Sequence, residues 1–295
     1  MKTALFSTVH PAAAPYVRDF LRSVEEQNDR DFTLWLAFDL IEPAHFREAL
    51  TPFDDVQVVL SENDTPASLR QRALERILPT CEAVIFVDSD DILYPNRVRE
   101  AKRGLHDYDV YGCPLELITE NSEHLNLCLD APPTEDWIVT MPYTNVFGLS
   151  NTAYRKRTLE QLLPVPTGVT LVDWFLATRA HLSGSRLGFG KTAHMAYRQY
   201  PDNTARVLPP FSPAYITRAS QLVLEHLHAI INHSETFELS LEPFSARLHE
   251  VERFVTAMQK GKLEAYTAAL NARSQKVYLW WEYVAHKELS HLWNI

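Results

Sequence analysis

The feature that most constrains this chain is the apolar run Ala83-Val84-Ile85-Phe86-Val87, which leads straight into Asp88-Ser89-Asp90-Asp91. An apolar stretch this short, rich in β-branched residues and ended by acids, reads as a strand buried on both faces, as at the centre of a parallel sheet. Parallel neighbours need crossover connections, and the preceding sequence supplies them. TALFSTV at 3–9, FTLWLAF at 32–38 and VQVVL at 56–60 are three further strand patterns. Between the first two, Tyr16, Val17, Phe20, Leu21 and Val24 share one helical face within residues 14–27. Before the fourth strand, Thr65 is placed to cap a helix opening at Pro66, with Leu69, Ala73, Leu74 and Ile77 as its apolar face. This βαβαβαβ order predicts a doubly wound α/β domain that binds ligands beyond the carboxyl ends of its strands.

Further along, the polar, Pro-containing stretch 119–140 reads as a loop or short hairpin, and NVFGL at 145–149 as a strand. Residues 152–162 and 171–183 carry helical patterns, and KTAHMAYRQY at 191–200 a strand pattern. Pro209, Pro210 and Pro213 then mark a change of character. Beyond them apolar residues recur at helical spacing, from Ile216 through Val223, Leu248, Phe254 and Leu270 to Val277, Trp281 and Val284. The expected division is an α/β domain over 1–210 and an all-helical extension over 211–295.

The formal net charge of −10 argues against a nucleic-acid partner, because phosphate backbones demand clustered Lys and Arg. Three cysteines without CxxC spacing argue against a disulfide framework or a zinc site. The apolar run at the amino terminus is too short for a signal-peptide core, and no stretch reaches the roughly 20 apolar residues of a membrane span. The reading is a cytoplasmic compartment with no transmembrane segment.

Three carboxylates beside a buried sheet destabilise it unless something offsets their charge. A divalent cation would do so: Mg²⁺ and Mn²⁺ take hard oxygen ligands, often one or two carboxylates completed by substrate phosphates. In an extended segment Asp88 and Asp90 point to one side and Asp91 to the other. The structural alternative is a solvated turn, with Asp91 capping a helix that starts near Tyr94 and Pro95.

The segment VIFVDSDDILYPNRV resembles the D-x-D motif of family-two glycosyltransferases, which have the GT-A fold. Other segments resemble that family in the expected order. Ser7 and Thr8, with FLRSVEEQ after them, are similar to its first strand and helix. Asp39 stands where an acidic residue contacts uracil. LRQRAL at 69–74 resembles its A-R-N-x-G-L segment, with Arg70 on the Arg and Gln71 on the Asn. TLVDWFLATRAHLSG resembles its E-D-x-x-L segment, with Asp173 on the Asp and Val172 replacing the acidic neighbour. YRQYPDNTAR resembles its Y-R-Q-H-x-x-N ending, with Tyr200 in place of His. The resemblance covers about residues 1–205.

It implies a Rossmann-like, doubly wound mixed sheet flanked by helices, and transfer of a sugar from a nucleotide donor, UDP above all, to an acceptor hydroxyl with inversion. Ser7, Thr8, Asp39, Arg70, Asp88, Asp90 and Arg198 would bind the donor. Asp90, with Asp88, would ligate Mn²⁺ or Mg²⁺. Arg70 would place positive charge near the diphosphate or hold Asp39, and Arg198 and Asn203 would contact phosphate or order the closing loop. Asp173 would be the general base, against the alternative of a helix-terminal carboxylate favoured by the dipole. Trp174 would wall a sugar pocket or belong to the core, and His194 is read as structural. The acceptor is a glycan, a lipid-linked glycan or a protein, in bacterial-type surface-glycan synthesis. The tail is a candidate for dimerisation, acceptor recognition or attachment to the inner membrane face, against simple packing. A sugar nucleotidyltransferase is disfavoured because STVHPAAAPY lacks the Gly-rich basic loop after the first strand. A catalytically inactive GT-A module remains the alternative from another class.

Overall fold

The computed structural model describes residues 1–132, 136–201, 203–233 and 237–294, so part of the 119–140 segment and the last residue of the tail lie outside the description. The chain divides into two compact units, one of residues 1–128, 147–168 and 185–202, the other of residues 129–146, 169–184 and 203–295.

The first unit is built on a seven-stranded sheet. Its strands are β1 (Thr3–Val9), β2 (Thr33–Phe38), β3 (Val56–Leu60), β4 (Ala83–Phe86), β6 (Val110–Gly112), β9 (Thr152–Arg155) and β10 (Leu187–Phe189), in the order β10-β6-β9-β4-β1-β2-β3. A second sheet holds β5 (Ile92–Leu93), β7 (Leu115–Thr119), β8 (His124–Leu129) and β11 (Met195–Gln199), in the order β5-β11-β7-β8. The helices of this unit are α1 (Val17–Glu25), α2 (Arg47–Leu50), α3 (Pro66–Ile77), α4 (Arg97–Asp107) and α6 (Lys156–Leu162). All seven residues of β1 are buried, as a strand covered on both faces requires. It pairs in parallel with β2 on one side, Phe6 opposite Trp35, and with β4 on the other, Phe6 opposite Phe86. Strand order therefore switches between β1 and β4, which places a crevice at their carboxyl ends. β9 runs antiparallel to β4 and β6, so the sheet is mixed. Thr65 caps α3 as expected, its hydroxyl accepting from the Ser68 amide at 3.2 Å.

The second unit contains α5 (Trp137–Thr140), α7 (Val172–Leu182), α8 (Pro213–Asn232), α9 (Glu242–Ala257) and α10 (Leu263–Asn271). α7 buries Val172, Trp174, Phe175, Leu176, Ala177, Thr178, Ala180 and Leu182, so apolar side chains surround its axis and only its ends carry charge. α8 and α9 pack together, and α9 passes into α10 through Gly261, whose φ of 91° glycine adopts without strain. Among the described residues no helix is long and apolar enough to cross a membrane.

Three expectations need correction. Residues 145–149 form no strand: Asn145 makes a single bridge to Trp280, and the strand lies at Thr152–Arg155, inside the segment read as helix. The helix after the acidic motif starts at Arg97, behind the short strand Ile92–Leu93. Helical spacing at Val277, Trp281 and Val284 is not helix either. Residues 272–286 run through turns, and a 3₁₀ segment at Lys287–Leu292 follows. Trp280, Trp281, Tyr278 and Tyr283 are all buried there, so aromatic packing overrides local periodicity.

Candidate functional site

In the first unit, the chain leaves β4 and turns sharply through Asp88, Ser89, Asp90 and Asp91. The turn is tied to β1 by Ser89 Oγ, which donates to Thr8 O at 2.9 Å. Asp91 is completely buried. Its Oδ1 accepts from the Arg198 backbone N–H at 2.8 Å, and Ser150 Oγ lies against its Oδ2. Burial, then the charges of Asp90 and Asp88, hold the Asp91 carboxyl well above the ordinary carboxylate range. Ser150 also donates to Asp88 Oδ2 at 3.0 Å. One hydroxyl proton cannot serve two carboxylates, so this geometry fits an Asp91 that keeps its own proton. Asp91 is thus a buried fastener of the turn rather than a helix cap, while Asp88 stays half-buried and Asp90 keeps about 8% of its surface exposed.

Arg198, on β11, is fully buried. Its Nε donates to Asp90 O at 2.7 Å, one terminal nitrogen donates to Glu120 O at 2.8 Å and Ser122 Oγ at 2.9 Å, and its guanidinium lies 4.5 Å from the centre of the Tyr16 ring. These contacts make Arg198 a clamp on the backbone of the acidic turn. Tyr200, just after β11, donates its hydroxyl to Asp90 Oδ2 at 2.6 Å, with its ring 5.1 Å from that of Tyr16. Burial and the Asp90 charge push the phenol's pKa up, so it is a neutral donor.

Asp39, Arg70 and Asp90 all lie within electrostatic reach of a residue that the sequence reading passed over. His10 follows β1, and its pKa is lowered mainly by burial, against the raising charges of Asp90 and Asp39 and together with the lowering charge of Arg70. Its place directly after a buried first strand was the one signal that could have found it. Ser7 is buried inside β1 and Thr8 nearly so, which makes them part of the sheet that carries the site. His194 stands among the charges of α4 (Arg97, Glu100, Arg103), consistent with a structural role. A cavity of about 580 Å³ opens at the ends of β1, β2 and β3, lined by Pro11, Phe38, Leu40, His45, Leu60 and Ser61. That volume suits a small-molecule ligand. Leu40 stands 79% exposed with φ of 55°, a strained conformation of the kind found at ligand clamps.

Among the described residues no group of three or more His, Cys, Asp or Glu side chains could hold a metal ion by itself. Asp90 and Asp88 offer only hard carboxylate oxygens. That donor set fits a Mg²⁺ or Mn²⁺ ion completed by diphosphate and water.

In the second unit, Asp173 lies in the first turn of α7, where the helix dipole favours a carboxylate. It is half-buried, and Asn145 Nδ2 donates to its Oδ2 at 2.9 Å. Trp174 is fully buried with its Nε1 donating to Met141 O at 2.9 Å, so it is core and walls no sugar pocket. Asn203 is buried in this unit.

No protein-family model matches this chain, and no curated protein matches its sequence. Solved structures do. The mannosyltransferase PcManGT from Pyrobaculum calidifontis, in complex with GDP-Man and Mn²⁺, superposes with a TM-score of 0.61 at 17% identity, covering 93% of this chain and 76% of that one. TarS from S. aureus in complex with UDP gives 0.58 at 16% identity, covering 86% and 71%. The same enzyme with UDP-GlcNAc gives 0.55 at 18% identity, covering 91% and 88%. With its mixed doubly wound sheet, its acidic turn after the central strand and these neighbours, the chain has the GT-A fold.

Proposed function

We propose that this chain is a nucleotide-sugar-dependent glycosyltransferase. The observation that carries the reading is the acidic turn Asp88–Asp91 directly after the central strand β4, with His10, Asp39 and Arg70 within electrostatic reach of one another or of Asp90, in a fold whose solved examples hold UDP, UDP-GlcNAc and GDP-Man. UDP is the favoured nucleotide, because Asp39 follows β2 directly, between the cavity-lining Phe38 and Leu40, and its carboxylate is of the kind that accepts from a uracil N–H. Arg70 supplies positive charge near the diphosphate. Asp90, with Asp88, would hold a divalent cation, which would supply Lewis-acid stabilisation of the departing diphosphate.

Asp173 is the base. The acceptor hydroxyl attacks the anomeric carbon, its proton passes to the Asp173 carboxylate, and the bond from that carbon to the diphosphate oxygen breaks with its electron pair on the leaving nucleotide. Attack opposite the leaving group inverts the anomeric configuration. The acceptor is a glycan, lipid-linked glycan or protein of surface-glycan assembly.

A second reading, a module that binds donor or glycan without turnover, is favoured by Tyr200, whose hydroxyl occupies one oxygen of the proposed metal ligand. Thermal unfolding with UDP, UDP-GlcNAc and GDP-Man, each with and without Mn²⁺, tests both. A ligand bound only by the native state raises the melting temperature, by RT ln(1 + [L]/Kd) in free energy. Metal-dependent stabilisation followed by release of free nucleotide is the expected result. Stabilisation without release would establish the module, and no response to any nucleotide would overturn the donor site.

A further inference from the structure

Asn145 is completely buried, and its amide is aimed at the Asp173 carboxylate. A carboxylate in the first turn of a helix can rotate about two side-chain bonds, and a proton acceptor works only when its oxygen is aligned with the leaving proton. A fixed donor on Oδ2, such as the Asn145 amide, restricts rotation of the carboxylate and so helps to set its plane.

Asn145 is itself held from far along the chain. It bridges Trp280 in antiparallel fashion, and its neighbour Thr144 donates from Oγ1 to Trp280 O at 2.7 Å. Trp281 and Ala285 have φ of 69° and 47°, conformations that non-glycine residues keep only where their surroundings impose them. Those surroundings are visible: Arg247 donates to Val284 O at 2.6 Å, and Tyr266 donates to Tyr283 O at 2.6 Å. The Trp281 ring lies parallel to that of Trp174, the residue after Asp173, at 6.5 Å between centres.

We propose that Asn145 is the positioning residue of the Asp173 carboxylate, and that the C-terminal segment Trp280–Ala285 is the brace that holds it there. This rests on reading Asp173 as the base. The tail is thereby part of the machinery of proton removal, beyond the packing or dimerisation read from its sequence.

The test uses the full chain with Mn²⁺ and UDP-GlcNAc or GDP-Man, following nucleotide release with water in the acceptor's place. Asn145→Leu keeps the branching at Cγ and removes the donor. Its kcat should fall about 10- to 100-fold with KM for the donor unchanged. Thr144→Val, which removes only the bond to Trp280, should give a smaller fall of the same kind. In an Asp173→Asn background, Asn145→Leu should cost nothing more, because both changes act through one carboxylate. If Asn145→Leu does not fold, Asn145→Ser carries the same expectation. An unchanged kcat in Asn145→Leu, or an equal fall in both backgrounds, overturns the positioning role. Near-normal release by Asp173→Asn alone overturns instead the base assignment beneath it.

Discussion

Asp90 and Asp173 are both carboxylates assigned to chemistry, and their surroundings differ in kind. Asp90 stands in a crowd. Asp88 and Asp91 flank it, and Ser150, Arg198 and Tyr200, distant in sequence, are all engaged by the three acids. Asp173 is the one acid of a helix that is apolar between its charged ends, and the Asn145 amide donates to it. Crowded like charges next to a sheet have to be relieved by a held proton, a buried cation or a bound metal. A carboxylate in the first turn of a helix, favoured there by the dipole, has to be oriented by a donor such as the Asn145 amide. The first arrangement suits a site that binds a cation, the second a site that takes a proton.

Removing one acid from each site tests this contrast most severely. Asp90→Ala is expected to abolish Mn²⁺-dependent stabilisation by UDP. Asp173→Asn should leave that stabilisation intact while nucleotide release falls about 10²- to 10⁴-fold. The same defect in both variants would erase the distinction between cation site and base.

Arg198→Lys probes how the crowd is held. It keeps the charge but loses the fork that reaches Asp90 O, Glu120 O and Ser122, and should lose about 3 kcal/mol in urea unfolding while the folded protein keeps its UDP affinity. Preserved stability with weakened UDP binding would favour the phosphate contact read from sequence.

The second unit has its own sensitivity, to acid. His226 is fully buried with its ring 4.0 Å from that of Trp174, and burial lowers its pKa to about 3. A folded pKa below the unfolded value means the unfolded chain binds the proton first. Stability is therefore whole above about pH 6.5 and is lost as pH falls toward 3. Between pH 7 and 5 the loss should be about 2 kcal/mol. His226→Phe should flatten that part of the stability profile, and an unchanged slope would show that another group carries it.

The smallest expected effect sharpens the role of Tyr200. Tyr200→Phe releases Asp90 Oδ2 and should tighten the apparent Mn²⁺ affinity about 3- to 10-fold in a calorimetric titration with UDP. Weaker binding would mean instead that the phenol orients Asp90 for the metal.

What the sequence settled by itself is local. Apolar runs located the buried strands, Thr65 and Pro66 marked a helix start, and Asp88, Asp90 and Asp91 were placed at a strand end, because burial on two faces, capping and helical spacing act between residues close in the chain. The same rules misled where tertiary forces are stronger. NVFGL was too apolar to read as anything but strand, and the aromatic tail had helical spacing but packs as turns. The tertiary structure alone decided which side chains hold the acids. Ser150 reaches Asp91 across 59 residues, Arg198 reaches Asp90 across 108, and Trp280 receives Thr144 across 136. No periodicity or spacing encodes contacts of that range. They exist because the sheet order and the turns of the tail bring those residues into reach, where burial makes every unmatched polar group costly.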